Sequence, residues 1–248
     1  MSVRVVYGVN PVLEVLKARR GAVARVVMAH GKAGPAQEKV EQAAQEAGVR
    51  VERMAPHELD RRAGGGVHQG VLAEVAALEY VEVADLLDAA QAAGEAPLVA
   101  VLDSIVDPHN LGALIRSAHA LGAHGVVIPK DRAADVTPVA EKSSAGAVAH
   151  LPIARVVNLA RAIEELKDAG VWSVALAADG DGELSAIDLT APTALVIGGE
   201  GKGVRPLVRK TCDRAARIPM AGRIGSLNAS VAGGIALYEV ARQRARKT

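Results

Sequence analysis

The chain contains no phenylalanine, three tyrosines and one tryptophan in 248 residues. Modules that stack successive bases on exposed aromatic rings are therefore poor models for it, and any RNA it binds must be held by arginine, lysine and backbone. Its single cysteine, Cys212, excludes an intramolecular disulfide and a cysteine-rich metal site, and fits a reducing compartment. No stretch reaches the roughly 20 apolar residues of a membrane span. The opening MSVRVVYGVNP lacks an apolar leader core, so a cytoplasmic location is expected. Charge bias is missing too: 29 basic groups against 28 acidic ones leave a net +1, which argues neither for nor against a polyanionic partner. The basic groups do gather at the ends, Arg4, Lys17, Arg19, Arg20 and Arg25 near the start and a second set from Arg209 to Lys247. Solvated helix faces and a phosphate-contacting surface account for that pattern equally well.

Half of the residues are hydrophobic, enough for a substantial core. The pattern predicts a strand at 25–30, a helix at 36–47, a strand at 49–53, a helix at 56–62 and a strand around 67–78. This small α/β unit, residues 1–78, is followed by 79–97, which carries a helical period and then Gly94 and Pro97, and is read as a linker. From Leu98 to the end at 248, strands apolar on both faces alternate with helices. Strands are expected at 98–102, 125–128, 151–153, 171–177, 193–197 and 214–218. Helices are expected at 110–121, 136–142 and 158–169, after Gly203, and at 228–246. Such a sequence indicates a mostly parallel sheet covered on both sides.

Two segments of this second part stand out, ALVIGGEGKGV (194–204) and RIPMAGRIGSLNASVAGGIALYE (217–239). Each reads as a buried strand running into a small-residue loop that opens a helix, a geometry in which bare backbone closes around a flat ligand. The loop is not a P-loop, because Gly203 and not Ser or Thr follows Lys202. It is a weak dinucleotide fingerprint, since Val204 stands where the third glycine belongs and RAARIPM (214–220) supplies no acidic residue. A third segment, LDSIVDPHNLGALIRSAHALGA (102–123), ends a strand, turns at Asp107-Pro108 and starts a helix carrying Asn110, Gly112 and Arg116. Asn110 and Arg116 are expected to converge at its anion-favouring N-terminal end. Ser226, Asn228 and Ser230 are candidates to cap the final helix.

The segments NLGALIRSAHALGA, ALVIGGEGKGV and IPMAGRIGSLNASVAGGIALYE resemble, in order and spacing, the three signature motifs of the SpoU family of RNA ribose 2′-O-methyltransferases, in the SPOUT superfamily. One departure is Leu121, where an aromatic often precedes the glycine. YGVNPVLEVL (7–16) and HQGVLAEV (68–75) are similar to the L30e-like substrate-binding domain of the family's bacterial 23S rRNA guanosine-2′-O-methyltransferases. The resemblance implies a parallel-sheet SPOUT domain with a deep trefoil knot, a small N-terminal L30e-like α/β domain, a homodimer, and RNA, most readily 23S rRNA, as partner, with neither DNA nor a membrane. Other family substrates, tRNA or the thiostrepton-resistance site of rRNA, stay open, as does a non-catalytic RNA-binding assembly factor.

The cofactor implied is S-adenosyl-L-methionine, held by Ala178, Gly198, Gly199, Glu200, Gly201, Ile218, Pro219, Met220, Ser226, Leu227 and Asn228. The catalytic residues implied are Asn110, Arg116, Glu200, Ser226 and Asn228. Arginine is a poor base, its pKa lying above about 12, so Arg116 is expected to stabilise a developing alkoxide while an RNA phosphate takes the proton. Lys202, Arg205, Arg209, Lys210 and Arg223 are candidate phosphate contacts, and no metal is expected, because His109, His119 and His124 lack carboxylates at ligand spacing.

Overall fold

A computed structural model describes residues 3–31, 33–223 and 225–246. Lys247, one of the C-terminal basic residues, and the outermost residues of the expected domain ranges lie outside that set. The chain divides into two units, residues 1–79 together with 136–150, and residues 80–135 together with 151–248.

In the first unit, strand β1 (Val3–Tyr7) leads through Gly8 into helix α1 (Val9–Ala18). Both are additional to the elements expected from periodicity. Gly8 sits at φ 97°, a conformation that side chains disfavour, which allows the abrupt change from strand to helix. Strand β2 (Val23–Ala29), helix α2 (Pro35–Glu46), strand β3 (Val51–Met54), helix α3 (Pro56–Arg62) and strand β4 (Val71–Ala76) follow the expected order. The sheet runs β1-β4-β2-β3, with β4 antiparallel to both neighbours and β2 parallel to β3. Val12, Val15 and Leu16 recur at helical spacing on α1 and are buried with Val26, Met28 and Val71.

The second unit begins with helix α4 (Val83–Ala93) and strand β5 (Leu98–Asp103). Helix α5 (Pro108–Ala120) and strand β6 (Gly125–Pro129) follow, then α6 (Pro138–Ser143), which belongs to the first unit. Strand β7 (Ile153–Val156), helix α7 (Leu159–Asp168), strands β8 (Trp172–Leu176), β9 (Gly182–Glu183) and β10 (Thr193–Gly198), helix α8 (Pro206–Thr211), strand β11 (Arg214–Arg217) and helix α9 (Ala229–Ala245) complete it. The sheet order is β7-β6-β5-β10-β8-β11-β9, and every neighbouring pair is parallel. Strands β5 and β6 are buried along their whole length, as their uninterrupted apolar runs require.

Two features differ from the expected domain plan. Residues 79–97 contain α4, which buries Val83 and Leu86 in the core of the parallel sheet. A side chain on Gly125 would collide with Leu86, so the helix sits directly against β6. Residues 136–150 pack with the N-terminal unit: Glu141 of α6 pairs with Arg4 of β1, Arg19 donates to the Ala149 carbonyl at 3.1 Å, and Ala149 joins the first core.

Candidate active site

The strands β8, β10 and β11 end side by side, and their carboxyl ends open into a cavity of about 1040 Å³. Clefts of open α/β sheets form at this edge, where the strand order breaks from sequence order. Here β10 is inserted between β5 and β8. Three loops make the wall, those after β8, β10 and β11, and all eleven residues expected to hold the cofactor line it, from Ala178 through the 198–201 loop and 218–220 to Ser226, Leu227 and Asn228.

The 198–204 loop is shaped by what its glycines lack. A Cβ on Gly198 would run into the backbone of Gly203 and Val204, and one on Gly199 into the Ser104 carbonyl. Gly201 and Gly203 take φ of 83° and 62°, so the turn itself needs glycine. The Gly203 amide closes it by donating to the Gly199 carbonyl at 3.0 Å.

Asn110 and Asn228 are tied to this loop by one hydrogen-bonded chain. Asn228 is the N-cap of α9, and its side-chain carbonyl accepts from the amides of Ser230 at 2.9 Å and Val231 at 3.3 Å. With its oxygen committed, Asn228 has only its amide to offer, which donates to Asn110 Oδ1 at 3.1 Å. Asn110 must then present its own amide outward, and that amide donates to Glu200. The helix cap thus sets the polarity of the whole chain, from α9 through α5 to the glycine loop. Asn110 is held in the first turn of α5 by Pro108 and by the Asp107 cap, which accepts from the His109 amide at 2.8 Å.

The other expected residues divide. Ser226 is in the cavity wall, whereas Ser230 lies inside α9 and donates its hydroxyl to Asn228 at 2.6 Å. Arg116 is exposed on α5 and is not part of the wall. Six residues of helix put it about 9 Å along and about 120° round from Asn110, so α5 does not bring the two together. Lys202 and Arg209 line the cavity, Lys210 and Arg223 are exposed, and Arg205 is paired with Asp103. Arg209 is a bidentate partner of Asp179, at 2.8 and 2.9 Å, so it latches the loop after β8. Asp179, Arg217, which donates to the Gly180 carbonyl at 3.0 Å, and Asp103 were not anticipated. Only Asp103 carried a signal, as the charged end of the apolar run LVAVLD.

His124 is buried, and that burial pushes its imidazole below the usual value while its Nδ1 accepts from the Leu98 amide at 3.1 Å. Among the described residues, no group of three or more His, Cys, Asp or Glu side chains is arranged to hold a metal. Among them, also, no helix is long and apolar enough to cross a membrane.

Residues 97–238 match the SpoU rRNA Methylase family, and residues 5–81 match the family described as RNA 2′-O ribose methyltransferase substrate binding. A Bacillus subtilis protein, YacO, named for the TrmH family of tRNA/rRNA methyltransferases, is 45% identical over 96% of this chain and 95% of its own length. The Xylella fastidiosa 23S rRNA (guanosine-2′-O-)-methyltransferase RlmB is 42% identical over 96% of each chain. Among solved structures, the SpoU methyltransferase AviRb of Streptomyces viridochromogenes in complex with AdoMet superposes with a TM-score of 0.80 at 31% identity, covering 98% of this chain and 91% of its own.

Proposed function

The chain belongs to the SpoU rRNA methylase family and is an RNA 2′-O-methyltransferase; from that premise we propose that it uses S-adenosyl-L-methionine to methylate a guanosine ribose of 23S rRNA, in the P loop of the peptidyl-transferase centre. The observation that carries the substrate is the full-length similarity to RlmB, including the substrate-binding unit. The proposed cofactor fits the cavity: glycine at 198 and 199 lets the loop pack tightly against Gly203, Val204 and Ser104, and the cavity of about 1040 Å³ that the loop lines is of the size that holds a small-molecule cofactor. The proposed setting is the cytoplasm, where rRNA is available.

When bound, the cofactor supplies an electrophilic methyl group. The protein's part is to position the ribose and manage the 2′-hydroxyl proton. In this reading the 198–201 backbone and residues 218–220 hold the cofactor, Glu200 orients it under the control of Asn110 and Asn228, and Ser226 completes the site. Arg116 lies outside the cavity wall and faces solvent, so its proposed part is played from the RNA side: with RNA bound it steadies the developing alkoxide, and an RNA phosphate paired with it accepts the proton.

The assembly proposed is a homodimer with the C-terminal segments packed as trefoil knots. Val231, Ile235 and Tyr238 of α9 share one helix face and are all exposed, an apolar stripe suited to a second copy. Wild-type protein is expected to sediment as a dimer, and the double variant Val231→Asp/Ile235→Asp as a monomer with turnover reduced at least about tenfold. A monomeric wild type overturns the assembly.

The decisive test is methyl transfer from labelled S-adenosylmethionine to rRNA and tRNA that lack ribose methylation, followed by mapping of the product. Label in the 23S P-loop guanosine is the expected result. Label in tRNA alone overturns the substrate, and no label in any RNA overturns the catalytic assignment. In the same assay Arg116→Lys is expected to lose most turnover, because an ammonium cannot reproduce the planar fork; near-full turnover contradicts a fork-specific role.

A further inference from the structure

Asp103 is fully buried, 0% exposed, at the carboxyl end of β5. Its carboxylate accepts from the Arg205 backbone amide at 2.7 Å, from Arg205 Nε at 2.6 Å and from the Ser104 hydroxyl at 3.1 Å. Its main-chain carbonyl accepts from the Gly199 amide at 2.9 Å. One residue therefore receives hydrogen bonds from both ends of the glycine loop, at 199 and at 205, about a hundred positions away in sequence. Ser104 adds the third wall: at φ 60° it turns its carbonyl onto the site where a Gly199 side chain would stand.

A buried carboxylate is a poor way to gain stability, since desolvation offsets most of the ion-pair attraction. It is an effective way to define geometry, because two acceptors on a rigid strand end, each taking a hydrogen bond from the loop, admit a single loop position. We infer that Asp103, clasped by Arg205, is a positioning residue for methyl transfer, setting the height of loop 199–203 over β5 so that Glu200 meets the Asn110 amide and the loop amides face the cofactor. This inference rests on the cofactor assignment proposed above. It also moves Arg205 from a candidate RNA contact to a loop anchor.

The test uses the full-length protein with S-adenosylhomocysteine as the probe. Asp103→Asn keeps the shape but removes the charge and turns an N–H donor toward Arg205 or Ser104. The expected result is a Kd for S-adenosylhomocysteine raised about tenfold or more, the worth of roughly one charge-assisted hydrogen bond. The Gly199 and Gly203 amides should exchange faster, and KM for the methyl donor should rise more than kcat falls. Arg205→Ala, at a side chain 40% exposed, gives the same reading should Asp103→Asn fail to fold. Arg205→Lys is expected to restore much of the affinity through a single N–H donor. Unchanged affinity and unchanged loop exchange in the folded variants overturn the inference, as does a lower melting temperature with neither effect. Failure of wild-type protein to bind S-adenosylhomocysteine overturns the cofactor assignment instead, while loop exchange in the variants still decides whether the clasp holds the loop.

Discussion

Asn110→Asp is expected to lower kcat/KM for methyl transfer by about 100-fold or more, the scale of removing one preorganised donor from an active site. The substitution is nearly isosteric, so the effect is electrical. The Asn228 carbonyl is committed to the first turn of α9 and its amide to residue 110, which an aspartate can still accept. Toward Glu200, however, the variant has no donor and sets a second carboxylate against the first. Two like charges at contact favour taking up a proton. Activity of Asn110→Asp is therefore expected to recover as pH falls and the pair protonates, because a protonated aspartate donates again. Asn110→Ala, which removes the donor without adding charge, should be less impaired at neutral pH and show no such recovery. A pH–rate profile of the three proteins decides it; indistinguishable profiles for the two variants would mean that the polarity of the chain has no part in the reaction.

Glu141→Ala is expected to destabilise the protein by about 3–5 kcal/mol, because it leaves the Arg4 guanidinium beneath α6 without its counter-charge. Arg4 also donates through Nε to the Ala76 carbonyl at 3.1 Å, so its side chain is held in place and cannot swing out to solvent. Burial pushes the Glu141 carboxyl above the ordinary value of 4.5, with Arg4 and then Arg19 pulling it back. A folded value above the unfolded one means that the native state binds the extra proton between the two. The contribution of Glu141 is thus fully present below about 4.5 and is lost as pH rises through the folded value. At neutral pH the pair gains little over an apolar one, so Arg4→Met/Glu141→Leu is expected to recover most of the lost stability and to flatten the decline across mildly acidic pH. Urea unfolding at several pH values measures both effects. A double variant as unstable as Glu141→Ala would show that the pair itself, and not the orphaned charge, carries the stability.

The same pair shows what kind of information the linear chain withholds. Glu141 reads as one more polar residue on a short helix, and nothing local says that it reaches β1 across 137 positions. A helix is legible from its own period, which is why α2, α3, α5, α7 and α9 lie within a few residues of where the pattern puts them. β1 and α1 are harder to see, since VRVVYGVNPVLEVL is mostly apolar with only Arg4, Asn10 and Glu14 interrupting it, and the positive φ of Gly8 divides strand from helix. Gly94 and Pro97 suggest a linker at 79–97, yet Gly94 is the left-handed cap of α4, whose buried face is decided by β6.

The active-site motifs divide along the same line. Glycine at 198, 199, 201 and 203 is legible because only bare backbone permits that turn, and short-range spacing places every expected cofactor residue in the cavity wall. The amino-acid sequence by itself determined the alternation of buried strands and helices, the glycine loop and the capping asparagine, all of which follow from steric and hydrogen-bonding rules acting over a few residues. The tertiary structure alone decided that β10 enters between β5 and β8, that Asp103 receives both ends of the loop, that Asn110 faces Glu200 while Arg116 faces solvent, and that 136–150 packs with the N-terminal unit. Those outcomes depend on which distant strands share hydrogen bonds, a choice made by packing over the whole core that no local pattern encodes.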